Sequence, residues 1–275
     1  MSVENFPSAA IAGLAREAKL EALHMVHRTR ASHIGSCFSA ADILACLYGH
    51  VLRIRPEEPD WPGRDRFILS KGHAAAILYA ILALKGFFPR AWLQDYCGNA
   101  QPLGGHATAT GVPGVEVSTG SLGHGLSIGL GMAIGLRGTD GDHPKVYVML
   151  SDGECDEGSI WEAALLAGAR RVDNLVAIVD YNKIQSFGRV ADIMDLEPFG
   201  AKWAAFGWHV IEVDGHDHAA VCTALGEAGS VGKPSVLIAH TVKGKGVSYM
   251  EDQLLWHYRS PTADELRQAI QEVSS

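Results

Sequence analysis

Two side chains of the kind that bind a hard divalent cation follow two short apolar runs of the sequence. Asp152 comes after residues 146–150, and Asn182 comes after residues 175–179. A carboxylate and an amide oxygen suit Mg2+, which takes oxygen ligands and usually keeps water or phosphate oxygens beside few protein ligands. Gly153 would let the backbone approach such a ligand closely. A diphosphate bridged by a metal would fit such a pair, and ordinary loop residues are the alternative interpretation of a D-G dipeptide taken alone.

The two apolar runs and the segment between them form one strand–helix–strand unit. Residues 146–150 and 175–179 are rich in β-branched side chains, and residues 161–171 have the pattern of a helix. Such a unit has parallel strands, and ligands bind at the carboxyl ends of parallel strands. Asp152 and Asn182 should therefore face one crevice, with the amino end of the helix turned toward phosphate.

The remaining elements extend this unit into a larger sheet. Three more strands are predicted at 64–70, 208–214 and 234–240, and helices at 9–30, 40–52, 73–84, from about residue 122, and at 219–228. Because strands and helices alternate without a linker, we expect one doubly wound α/β domain over residues 1–275. Its sheet should be mainly parallel, with helices on both faces.

Glycine marks two further features of the chain. Residues 99–125 form a long glycine-rich loop, and long loops inside compact domains are often functional. The helix after this loop carries Gly125, Gly129, Gly131 and Gly135. Glycine is costly within a helix, so this pattern predicts a buried helix that packs closely against a neighbour.

Composition limits the class of protein. A hydrophobic content of 47% and a charged content of 20% are typical of a globular chain, and the longest apolar stretch, 126–136, is too short for a membrane span. A net charge of −8 without a basic block argues against nucleic-acid binding. The five scattered cysteines indicate neither a disulfide framework nor a zinc knuckle. No secretory signal is evident, so a cytoplasmic location is expected.

Five histidines lie in predicted loops or at predicted helix starts. They are His33, His73, His106, His124 and His257. A set of imidazoles with pKa values near neutrality could hydrogen-bond the hydroxyls of a sugar and pass protons as its carbonyl is made or broken.

The segment S-D-G-E, followed after a helix and a strand by D-Y-N-K-I, resembles the thiamine diphosphate motif of transketolases. Ser151 stands where that family has the first glycine of G-D-G, and its hydroxyl can close a similar turn. The resemblance implies the thiamine diphosphate-binding fold known as the PP domain. It also implies that Asp152, Asn182 and the carbonyl of Ile184 hold Mg2+, or another divalent cation such as Ca2+ or Mn2+. Gly153 would approach the diphosphate.

The same resemblance assigns roles to four of the histidines. A-S-H-I-G-S and G-G-H-A-T resemble segments that carry substrate-facing histidines, so His33 and His106 would contact the substrate. S-K-G-H-A would place His73 beside the diphosphate. His257 corresponds to a late histidine of the family that approaches both the diphosphate and the substrate.

Two further pairs of residues acquire roles in this way. T-G-S-L-G-H-G resembles a segment whose backbone touches the pyrimidine of the cofactor, a role that falls to Gly120 and Leu122. Glu157 and Glu162 match glutamates that lie at the contact between transketolase subunits and connect the two cofactor sites.

The resemblance runs from about residue 10 to residue 260 and covers only the diphosphate-binding half of a transketolase. In that family a glutamate on a separate pyrimidine-binding domain activates the cofactor. The resemblance therefore implies the N-terminal subunit of a split transketolase, active only with a C-terminal partner chain in an α2β2 heterotetramer. The reaction would transfer a two-carbon ketol unit from a ketose to an aldose, as free sugars or sugar phosphates.

Related thiamine enzymes remain alternatives. Deoxyxylulose-phosphate synthases and the α subunits of 2-oxo acid dehydrogenases share the domain, but the paired His33 and His106 favour polyhydroxylated substrates. A sulfosugar or acyloin-forming transketolase is also open, because the far end of the substrate would be read mainly by the partner. A cofactor-binding module without turnover is the alternative from another class. A Rossmann dehydrogenase is disfavoured, because no G-x-G-x-x-G follows an early strand.

Overall fold

Five parallel strands form the centre of the protein. The computed structural model describes residues 7–137 and 143–275. The strands are β1 (Arg66–Leu69), β2 (Val146–Ser151), β3 (Leu175–Tyr181), β4 (His209–Asp214) and β5 (Ser235–His240), in the order β1-β2-β3-β5-β4. Every neighbouring pair is parallel. The five predicted strands are confirmed within two residues at each end, because apolar, β-branched runs are typical of strands buried on both faces.

Helices cover both faces of this sheet. The described α-helices are α1 (Ser8–Thr29), α2 (Ile34–Cys46), α3 (Ala75–Leu84), α4 (His124–Leu136), α5 (Gly158–Ala169), α6 (Val190–Ile193), α7 (Phe199–Ala205), α8 (His218–Glu227) and α9 (Ala263–Ser274). Alternate residues of a strand point to opposite sides, so Phe67 and Leu69 join the core under α1, α2, α3, α8 and α9. Ile68 joins the core under α4, α5 and α7. The expected doubly wound fold is therefore confirmed.

Helix α2 begins earlier than predicted. It starts at Ile34 rather than at residue 40, and it continues as a π-helix over Leu47–Val51. The predicted start was wrong because Gly35, Ser36 and neighbouring small polar residues are weak helix formers, and here tertiary packing overrides that preference. All of α2 is buried. The polar break before it ends at His33, which caps the helix with a φ of 74°.

The glycines of α4 divide into two pairs. A Cβ added to Gly129 would lie 2.4 Å from Val148, and one added to Gly125 would also collide with a neighbour. Close packing is therefore confirmed on this side of the helix. Gly131 and Gly135 face open space, with nothing within 4 Å of such a Cβ. The prediction of a buried helix therefore holds only for the side of α4 that packs against the sheet.

Among the described residues, the helical run that is both long and apolar enough to span a membrane is not 126–136 but Ile34–Val51. Ile34–Val51 has the length and composition of a membrane span, with a mean hydropathy of 1.3, but 83% of it is buried inside the fold. It packs against α1 and α3 as a core helix. The described residues therefore contain no clear membrane span. Residues 1–6, where no secretory signal was recognised, lie outside them.

Candidate active site

The loops after β1, β2, β3 and β5 open onto one pocket at the carboxyl end of the sheet. Its walls are formed by His33, Ser36, His73, His106, Gly120, Leu122, Ser151, Asp152, Gly153, Asn182, Ile184, Gln185, Ser186, Lys243 and His257. Every residue that the sequence placed at a cofactor, metal or substrate is in this set. Glu157 and Glu162 are not. The fold thus brings Asp152 and Asn182 into one crevice, as their positions after parallel strands predicted.

The carboxylate of Asp152 joins the ends of β2 and β3. Its Oδ1 accepts a hydrogen bond from the Gly153 N–H at 2.8 Å, and its Oδ2 accepts one from the Lys183 N–H at 2.5 Å. Burial, together with the nearby charge of Asp180, raises the pKa of Asp152 to about 6. A buried carboxylate in this position would be stabilised by a cation.

The amide of Asn182 is held at both ends. Its Oδ1 accepts from the Ile184 N–H at 3.1 Å, and its Nδ2 donates to Ser39 Oγ at 3.4 Å. With Asp152 and the Ile184 carbonyl, it makes a set of oxygen donors that fits Mg2+. Among the described residues no group of three or more His, Cys, Asp or Glu could hold a metal. The predicted site therefore depends on amide, carbonyl and ligand oxygens beside a single carboxylate.

Lys243, which lies after β5, is a pocket residue that the sequence reasoning missed. Its buried ammonium donates to the Ile184 carbonyl at 2.8 Å and lies 3.0 Å from His257 Nδ1. Burial lowers the pKa of Lys243 to about 8, although the charge of Asp152 opposes this. A cation here would attract an anionic ligand such as a diphosphate. The available signal was a lysine just beyond a strand end.

Four histidines meet in the pocket. The ring of His33 lies 4.8 Å from that of His257, 5.2 Å from that of His73 and 5.8 Å from that of His106, measured between centroids. The rings of His73 and His257 are 5.7 Å apart. His124 is exposed at the start of α4 and lies outside this histidine cluster.

Three of the four histidines in this cluster are uncharged at neutral pH. Burial and the neighbouring His106 lower the pKa of His33 to about 4, and burial and Lys243 lower that of His257 to about 3. Burial and Lys71 hold the pKa of His73 well below its usual value. The expectation of near-neutral pKa values was therefore wrong for these three, because it ignored desolvation and the buried lysines. A bound diphosphate anion would raise these pKa values.

One buried ring nitrogen of this cluster, His33 Nδ1, has no hydrogen-bond partner among the described residues. An unsatisfied buried polar atom costs free energy, so a polar ligand group in the pocket would stabilise this side chain. This observation fits a hydroxylated or carbonyl-bearing ligand.

A buried ion pair lies beneath the pocket. Lys71 pairs with Asp180 and also donates to the Ser36 carbonyl at 3.2 Å. Asp180 further accepts from Ser39 Oγ at 2.6 Å and from Thr241. The pair links the loop after β1 to α2, β3 and the loop after β5, which are the segments that carry the pocket residues.

The turn after β2 has the form that the sequence predicted. Ser151 Oγ accepts the Glu154 N–H at 3.2 Å, so the serine hydroxyl closes the turn in place of the family glycine. A Cβ on Gly153 would lie 2.7 Å from Gln185. Only glycine therefore lets the two loops approach this closely.

Glu157 and Glu162 lie on the surface of α5. Glu157 is the N-cap residue of the helix but makes no side-chain capping bond, and both residues are exposed. Neither contacts the pocket. Their role at the contact between two subunits stays a prediction.

Oxygen donors and a buried lysine at the carboxyl end of a parallel sheet suit a metal-bound diphosphate. Residues 12–273 match the family described as "Transketolase, thiamine diphosphate binding domain". The chain belongs to the transketolase family, and its domain is of the kind that binds thiamine diphosphate. The resemblance seen in the sequence is confirmed.

Named relatives agree with this assignment. The chain is 42% identical to one subunit of the apulose-4-phosphate transketolase of Phocaeicola vulgatus, over 92% of this chain and 89% of that protein. It is 41% identical to a 6-deoxy-6-sulfo-D-fructose transketolase subunit of a Clostridium species, over 91% of each. The crystal structure of Campylobacter jejuni transketolase superposes with a TM-score of 0.92 at 30% identity, and this chain covers 43% of its length.

Proposed function

We propose that this chain is the N-terminal subunit of a split transketolase. With a partner chain that carries the pyrimidine-binding domain, it would transfer a two-carbon ketol unit from a ketose to an aldose in the cytoplasm. The observation that carries the proposal is the histidine cluster beside Asp152 and Asn182, with ring centroids 4.8 to 5.8 Å apart. Such a pocket can hold a polyhydroxylated substrate against a metal-bound diphosphate.

At the cofactor end of the pocket, different residues would bind the metal, the diphosphate and the pyrimidine. Asp152, Asn182 and the Ile184 carbonyl would hold Mg2+, or Ca2+ or Mn2+ in its place, through oxygen ligands. Gly153 and His73 would lie against the diphosphate. Thiamine diphosphate, when bound, supplies the electron sink that ketol transfer needs. Gly120 and Leu122 would support its pyrimidine.

The substrate end is formed by His33, His106 and His257. The lowered pKa values of His33 and His257 leave both imidazoles neutral, so each can donate one hydrogen bond and accept another. The unpartnered Nδ1 of His33 supports a contact with a substrate oxygen. From this position His33 and His106 would exchange protons with that oxygen as the carbonyl forms or breaks.

The exposed side of α4 and α5 supports the need for a second chain. Ile128, Ile134, Leu165 and Leu166 are 37%, 46%, 56% and 46% exposed and lie on these two adjacent helices. Exposed apolar patches of this kind mark interaction sites. Glu157 is the N-cap residue of α5 and Glu162 lies on this helix, in keeping with a contact between subunits. We expect an α2β2 heterotetramer.

Exposed apolar and aromatic side chains lie close to pocket residues in the sequence. Phe187 is 78% exposed and follows the pocket residue Ser186, Tyr258 is 56% exposed and follows the pocket residue His257, and Leu255, two residues before His257, is 52% exposed. The pyrimidine-binding domain of the partner would cover these side chains and close the pocket over the cofactor. Water would then be excluded from the substrate.

The pocket residues of this chain do not specify which sugar is the substrate. Two relatives carry names that specify apulose 4-phosphate and 6-deoxy-6-sulfo-D-fructose. Groups that read the far end of such substrates would lie mainly on the partner. A sulfonated sugar or apulose 4-phosphate is therefore a second candidate substrate beside the common ketose phosphates.

A reconstitution assay tests the proposal. The full chain is co-expressed with a candidate partner, and ketol transfer is measured for each chain alone and for the complex, with thiamine diphosphate and Mg2+. Activity is expected only in the complex. Asp152→Ala should abolish it, and the surface variant Asp252→Ala should retain it.

Two results would contradict the proposal in different ways. Full activity from the isolated chain would show that no second chain is needed and would refute the split enzyme. A complex that binds thiamine diphosphate but transfers no ketol unit from ketose phosphates, sulfonated sugars or apulose 4-phosphate would favour a cofactor-binding module without turnover.

A further inference from the structure

Glu154 is a buried carboxylate that the proposed chemistry does not use. It lies in the 3-10 turn Gly153–Asp156 after β2, and its side chain is fully buried. Its Oε1 accepts hydrogen bonds from Ser70 Oγ and from the Gly123 N–H, the latter at 2.9 Å. Its Oε2 accepts from the Ser151 N–H at 3.2 Å. Within the described part of the chain, Glu154 forms no ion pair.

The three donors come from three different segments of the chain. Ser70 follows β1 and precedes the turn of His73, Ser151 ends β2 and precedes Asp152, and Gly123 comes at the end of the glycine-rich loop, directly before α4. Each segment carries part of the pocket. Glu154 is thus the point at which the metal loop, the diphosphate histidine and the pyrimidine loop are joined by one side chain.

Asp65 is a second buried carboxylate that accepts backbone N–H groups from two segments, but it lies away from the pocket. Asp65 accepts the Arg53 N–H and the Lys145 N–H, each at 2.8 Å, at the amino ends of β1 and β2. It also lies 3.9 Å from the Arg53 guanidinium. Asp65 therefore joins loops as Glu154 does, but at the end of the sheet opposite the pocket.

We propose that Glu154 is a positioning residue that sets the place of Asp152 relative to Gly120 and Leu122. This inference rests on the proposed function. Oε1 of Glu154 binds Gly123, near Gly120 and Leu122, and Oε2 binds Ser151, next to Asp152. The carboxylate therefore fixes the separation of these two loops. Residues that orient metal ligands typically contribute roughly 10- to 100-fold to metal affinity.

The substitution Glu154→Gln tests the idea with little change in shape. The amide can accept at one end only, so its NH2 would face a backbone N–H, and two donors would oppose each other. Asp65→Asn makes the same change at the opposite end of the sheet and is the matched control. The full chain is titrated with Mn2+ in saturating inorganic pyrophosphate, which probes the diphosphate end alone, and thermal unfolding is recorded for each variant.

We expect Glu154→Gln to weaken Mn2+ binding about tenfold, whereas Asp65→Asn binds as the wild type does, even if both variants unfold at lower temperature. Affinity in Glu154→Gln within twofold of wild type, or an equal loss in Asp65→Asn, would overturn the inference. If Glu154→Gln fails to fold, Ser70→Ala removes one donor and should weaken binding in the same direction; unchanged binding would overturn it. A wild-type chain that binds no Mn2+–pyrophosphate would instead refute the proposed function.

Discussion

The buried pair of Lys71 and Asp180 gives a stability prediction that can be worked from the structure. Both side chains are 0% exposed. Asp180 also accepts from Ser39 and Thr241, and Lys71 also donates to the Ser36 carbonyl. Asp180→Ala would leave the ammonium and two hydroxyls buried without their anionic partner. Breaking a buried pair in this way destabilises the folded state by about 3–5 kcal/mol.

Urea unfolding of four proteins measures this effect. Wild type, Asp180→Ala, Lys71→Met and the double variant form a cycle in which the double variant should be more stable than Asp180→Ala, because no buried charge then lacks a partner. The matched control is the pair of Arg189 and Asp252, which is 49% and 52% exposed. Asp252→Ala should cost only about 0–1 kcal/mol.

Two outcomes would refute this reasoning. One is a loss of less than about 1 kcal/mol in Asp180→Ala, which is the size expected of an exposed pair. The other is a double variant that is no more stable than Asp180→Ala. Either would mean that Lys71 finds another partner or reaches water when the carboxylate is removed.

Three further predictions concern the pocket, acid stability and the exposed helices. His33→Ala and His106→Ala should lower kcat more than they lower cofactor affinity, as steady-state kinetics and cofactor titration would show; a loss confined to cofactor binding would contradict their assignment. For acid stability, burial alone would raise the pKa of Asp180, but Lys71 and three hydrogen bonds hold that pKa below its usual value. Its stabilising effect is therefore complete above the unfolded pKa of about 4 and lost as pH falls through the lower folded value. The stability difference between wild type and Asp180→Ala should narrow below that pH in urea titrations; a constant difference would contradict this. Leu165→Asp should reduce assembly with the partner in sedimentation experiments and leave the melting temperature of the isolated chain nearly unchanged; undiminished assembly would exclude this surface.

The strands and the positions of Asp152 and Asn182 could be predicted from the sequence because they depend on local signals, whereas the four pocket histidines, Gly120 and Leu122 were assigned by resemblance to a family. Apolar β-branched runs mark buried parallel strands, and the residue after each run must lie at the carboxyl edge of the sheet. This rule alone places Asp152 and Asn182 in one crevice. Applied to the lysine after β5, it would have found Lys243.

Other features could not be predicted from the local sequence, because they depend on residues that are distant in the chain. The start of α2 depends on a core that accepts small polar residues, and the lowered pKa of His33 depends on burial beside two lysines from distant segments. Glu154 gains its meaning only when Ser70 and Gly123 reach it in space. Helix α9 was missed although its start was legible, since Thr262 and Glu265 form a capping box.

Calorimetric titration of the assembled complex with thiamine diphosphate and Mg2+ tests the central claim most directly. Wild type should bind the cofactor in a manner that depends on the metal. Asp152→Ala and Asn182→Ala should each lose this binding while far-UV circular dichroism shows an intact fold, because each removes an oxygen ligand from the crevice. Tight, metal-dependent binding retained in both variants would contradict the assignment of this site.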